Sequence, residues 1–76
     1  MEYKYKVEDY KDYGTLPFSM EDFYTVLGRY KKGEVSVHYL EKACDDLFFS
    51  IKHRVVEGSF SPPQAEEMRA YFRGLL

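Results

Sequence analysis

Residues 36–58 read SVHYLEKACDDLFFSIKHRVVEG, and their spacing decides the fold. Val37, Leu40, Cys44, Leu47, Ile51 and Val55 recur at three- and four-residue intervals, flanked by Ala43 and Phe48. That is the period of an α-helix with one apolar face. Ser36 is placed to cap it, because a serine hydroxyl can accept from an amide two or three residues on. Lys52, His53 and Arg54 gather where cations oppose the negative end of the helix dipole. Gly58 stops the run. The pattern predicts a helix over 37–57.

Two further helices flank it. Upstream, Phe18-Ser19-Met20-Glu21-Asp22-Phe23 resembles a capping box, with Ser19 as cap and Asp22 where Glu or Gln is usual. Phe18 and Phe23 occupy the staple positions. Met20, Phe23, Tyr24, Leu27 and Tyr30 continue at helical spacing, Arg29, Lys31 and Lys32 fill the last turn, and Gly33 ends it. A helix over 20–32 is expected. Downstream, Ser61-Pro62-Pro63-Gln64 is a full capping box with proline in the first turn, where its missing N–H costs nothing. Ala65, Met68, Phe72 and Leu75 supply the stripe of a helix over 62–74. The links are short, so sequential helices should pack as antiparallel neighbours. The expected fold is mainly α: a small three-helix, up-down-up bundle over 18–76, within a single domain of 1–76. Residues 1–17 form an arm, in which Tyr3, Tyr5 and Val7 alternate with Lys4, Lys6 and Glu8. That period of two suits an extended segment or a short β-strand.

A chain of 76 residues buries only about 60% of the surface its unfolded form would expose, so its 8 tyrosines and 6 phenylalanines must supply much of the core. They also exceed what so small a core can centre, and tyrosine is a common interface residue. The single cysteine, Cys44, allows no internal disulfide, which fits a reducing compartment. Met1 to Lys6 contains no apolar run of the signal-peptide kind, and no stretch approaches a membrane span. A cytoplasmic location is expected, with no membrane partner. The net charge of −2 argues against nucleic acid, whose binding draws on a basic excess.

Several chemistries find no constellation in the sequence. Cys44 lies on the apolar stripe, and at ~100° per residue neither His38 nor His53 shares its face. Burial raises a thiol's pKa and makes it inert. The two histidines are fifteen positions apart, and Asp45 and Asp46 diverge on a helix, so no metal set converges. Lys42 and Asp46 instead have the spacing of a solvated pair. The isolated glycines form no phosphate loop. No enzyme, cofactor or small-molecule substrate is expected.

Two surfaces remain. Phe49 and Val56 fall opposite the apolar stripe, among Lys52 and His53, with nothing in the bundle to cover them. Either Tyr3 and Tyr5 of the arm fold over them or a partner does. Arg29, Lys31, Lys32 and Arg73 fall near helix C-termini, and in an up-down-up bundle they can share a basic pole. The expectation is a small non-enzymatic protein-binding module: an adaptor, inhibitor or regulatory subunit that binds another protein or its own copy. Modules of this size are frequent in bacteria, phages and mobile elements, a class-level analogy only. The alternative is a nucleic-acid-binding regulator that uses the basic pole.

Overall fold

The computed structural model describes residues 3–76; Met1 and Glu2, the start of the expected arm, lie outside the described residues. Three helices follow a short 3₁₀ turn at Val7–Tyr10: α1 (Leu16–Lys31), α2 (Val37–Val56) and α3 (Pro62–Gly74). They form the expected small helical bundle, and among the described residues there is no strand. α1 and α2 pack along much of their length, and α3 packs on α2. The backbones of α1 and α3 stay more than 8 Å apart. These two helices meet instead through rings: Phe23 of α1 stands edge-on to Phe72 of α3, with centroids 5.6 Å apart.

The caps on α2 and α3 follow the sequence. Ser36 Oγ accepts from the Tyr39 amide and Ser61 Oγ from the Gln64 amide, each at 3.3 Å. α1 departs from expectation. It begins at Leu16, a full turn before Met20, and its N-cap is Thr15, whose side chain makes no capping bond. Gly14 reverses the chain at φ +65°, and Pro17 enters the first turn with its φ already helical. The extra turn buries Leu16 beside Met20 on the core stripe, and burial of a leucine is worth about 1.5–3 kcal/mol. Ser19 is therefore an interior residue, and its hydroxyl pairs with that of Ser50 on α2 at 2.9 Å. Phe18 is not a staple but projects outward.

Leu16, Met20, Phe23 and Leu27 meet Leu40, Leu47 and Ile51 and then Ala65, Met68 and Phe72, with Phe60 closing the α2–α3 link. Val26, outside the stripe read from the sequence, is buried too, whereas Tyr30 and Val37 of the expected stripes are exposed. Among the described residues no helix is long and apolar enough to cross a membrane.

Candidate protein-binding surface

The arm bends at Lys4 and Tyr5 before it enters the 3₁₀ turn, with Tyr3, Tyr5 and Val7 half-buried and Lys4 and Lys6 exposed. The alternation is as read, but aromatic packing on the helices replaces a strand ladder. The Tyr3 ring stacks on Tyr24 of α1, 3.9 Å apart and tilted by 5°. The Tyr24 hydroxyl donates to the Tyr5 carbonyl at 2.6 Å. Tyr5 in turn packs against Tyr71 and Phe72 of α3. Tyr10 and Tyr13 close over Phe60. The Lys4 ammonium reaches Glu67 at 2.9 Å. Burial pushes the Tyr24 hydroxyl well above the usual tyrosine range, and the surrounding tyrosines, Tyr71 first, add to this. The arm thus fills the wedge between α1 and α3.

That placement separates the candidate residues. Tyr3 and Tyr5 lie on the α1–α3 side, so they are not the cover for Phe49 and Val56. Phe49 and Val56 remain 71 % and 77 % exposed. They share a shallow depression with Lys52 and His53, so these four residues do come together. Beside it runs a groove of about 540 Å³ between α2 and α3, with Phe48, Val55 and Pro62 in its wall and Asp45, Lys52 and Arg69 as its charged members. Most wall residues are carbon-rich, as expected for a surface that loses water on contact.

Arg54 braces the inner side of this end of α2. Its Nη1 donates to the Tyr13 carbonyl at 3.1 Å and lies 3.0 Å from Glu57. Its Nη2 contacts His53 Nδ1 at 2.7 Å. A guanidinium only donates, so Nδ1 accepts, and the His53 proton sits on Nε2, free to face outward. Phe18, also 71 % exposed, stands one residue from the Ser19–Ser50 contact, at the same end of the α1–α2 pair as Phe49. Sequence reasoning missed it. Pro17 was the available signal, because a proline there starts the helix early and turns Phe18 from a staple into an outward position.

The expected basic pole is divided. Arg29 reaches Glu34 at 3.4 Å. Arg73 lies over the Phe48 ring, 5.1 Å from its centroid, beside Glu41 and Asp45. With 13 residues against 20 in α2, α3 ends partway along its neighbour rather than at the pole where Lys31 and Lys32 stand. Cys44 is buried; its surroundings, then Asp45, push its thiol up, against a smaller opposing effect of Arg73. Lys42 and Asp46 line one depression with Asp22 and Tyr39 but form no ion pair. Among the described residues no group of three His, Cys, Asp or Glu side chains is set to hold a metal ion. No family model, curated protein or solved structure matches the chain.

Proposed function

We propose that this chain is a small non-enzymatic protein-binding module, an adaptor, inhibitor or regulatory subunit, that binds through the outer face of α2. One observation carries the reading. Phe49 and Val56 stay exposed in a fold that has already committed its N-terminal arm elsewhere. In a chain this small, two large apolar side chains beside a carbon-lined groove are a substantial uncovered surface. The nucleic-acid alternative has weaker support, because two of its four cations face acidic or aromatic neighbours of their own.

The test is capture from lysate with the wild-type chain and with Phe49→Asp as paired baits, beside thermal melts of both. The substitution should leave the melt unchanged, because the side chain touches little, and should abolish capture, because a carboxylate left unpaired at an interface is costly. A folded Phe49→Asp chain that captures the same protein as the wild type would sink the reading. Salt-sensitive retention on DNA or RNA, lost on reversing Lys31 and Lys32, would favour the alternative.

A further inference from the structure

We propose that the outer face of α2 pairs with the same face of a second copy of this chain, antiparallel, about a twofold axis level with Phe49. This rests on the reading of that face as a protein-binding surface and names its partner.

The order of charges about Phe49 points to it. Asp45 precedes Phe49 by four residues and Lys52 follows it by three; at 3.6 residues per turn both fall toward α3, and both belong to the α2–α3 groove. Asp46 precedes by three and His53 follows by four, and both fall toward α1. Asp46 shares a depression with Asp22 of α1, and His53 lines the depression under Phe49 and Val56. A twofold axis across the facing helices reverses their direction and keeps each flank on its own side. Asp45 of one copy then meets Lys52 of the other, and Asp46 meets His53. Phe49 meets Phe49 at the centre. Lys42, seven residues before Phe49, arrives over Val56, seven residues after it, where its aliphatic stem can cover the apolar side chain. A parallel pair would exchange the flanks and instead set Asp45 against Asp46 and Lys52 against His53, with no carboxylate facing a cation. An isologous contact needs a self-complementary patch, and this face is self-complementary in one orientation.

The side chains are available for it. Asp45, Asp46 and Lys52 enter none of the ion pairs among the described residues. The bond from Arg54 holds the His53 Nε2–H outward as a donor for a carboxylate. One helix face, ~30 Å long and ~10 Å wide, is smaller than the ~800 Å² that a standard interface takes from each partner. The dimer is therefore reversible and grows with concentration.

The test is light scattering after size exclusion over a concentration series, with a melt of each variant to confirm its fold. The wild-type mass should climb from the 9.1 kDa of one chain toward twice that value, and added salt should shift it back. Phe49→Asp, Asp45→Lys and Lys52→Asp should each stay at the single-chain mass. An equal mixture of Asp45→Lys and Lys52→Asp should regain the dimer, because position 45 of each copy then meets the opposite charge at position 52 of the other. A wild-type chain that is single at every concentration, a dimer that survives both single reversals, or a mixture that stays single would each overturn the proposal. A single chain that still captures another protein through Phe49 overturns the dimer alone. A dimer indifferent to Phe49→Asp, together with capture indifferent to it, overturns both readings.

Discussion

The guanidinium of Arg54, near the end of α2, donates to the carbonyl of Tyr13 at 3.1 Å and so fastens the arm to the bundle. The side chain is 11 % exposed and also meets Glu57 and His53. Its place is shaped by Gly14, where an added Cβ would come within 3.0 Å of Nη1.

Arg54→Met should therefore cost about 1–3 kcal/mol, the penalty of leaving a carbonyl and its neighbours unpartnered. Gly14→Ala should cost about 1–2 kcal/mol, since it forces a side chain into the left-handed region and against Arg54. Thermal melts of both variants check this. Unchanged melting would mean that the arm is held by its tyrosines alone.

Those tyrosines set an alkaline limit. Burial raises the Tyr24 pKa, so the neutral phenol is favoured in the fold. A raised folded pKa contributes stability that is intact below the ordinary tyrosine value of about 10 and is lost as pH rises beyond it, when the unfolded chain ionises first. The melting temperature should fall above about pH 10. Tyr24→Phe should flatten that fall, while losing about 0.5–1.5 kcal/mol at neutral pH with the bond to the Tyr5 carbonyl. A pH series of melts on both chains reads the difference.

The two serines that resemble caps should respond differently. Ser61→Ala removes the acceptor for the Gln64 amide and should cost about 0.5–2 kcal/mol. Ser61→Asp should restore most of that loss, because aspartate caps as well as serine. At position 19 aspartate should rescue nothing and should destabilise further, since Ser19 faces the buried Ser50 hydroxyl rather than a helix end. Denaturant melts of Ser61→Ala, Ser61→Asp, Ser19→Ala and Ser19→Asp decide between cap and interior.

Cys44 should react slowly with a thiol reagent in the native chain and quickly in denaturant, because it is buried and its thiol is held up. Equal rates in the two conditions would place it on the surface.

Much of this fold is written in local patterns. The stripes Leu40–Leu47–Ile51 and Ala65–Met68–Phe72 and the caps at Ser36 and Ser61 each depend on residues within a few positions, and all are present in the structure. The start of α1 was obscured because Ser19-Met20-Glu21-Asp22 imitates a cap, while the true start uses a glycine turn and Pro17 without a side-chain cap. The course of the arm was not legible at all. Alternation shows which side of Tyr3, Tyr5 and Val7 is apolar, but not what that side meets. That depends on the gap left between α1 and α3, a property of three helices together. For the candidate surface, Phe49 and Val56 could be read off the wheel of α2. Their lack of cover could not, because it follows from where the arm goes.

The central claim is that the outer face of α2 is uncovered in the free chain and covered in the associated one. Hydroxyl-radical footprinting reads this directly, comparing dilute chain with concentrated chain and with any protein captured through Phe49. In the dilute chain Phe49 should oxidise readily, as should Phe18, while the buried Phe23 and Phe72 resist. On association Phe49 and Val56 should become protected, with Tyr3 and Tyr24 unchanged. Protection of Phe49 already in the dilute chain, or association that leaves Phe49 as reactive as before, would contradict the account.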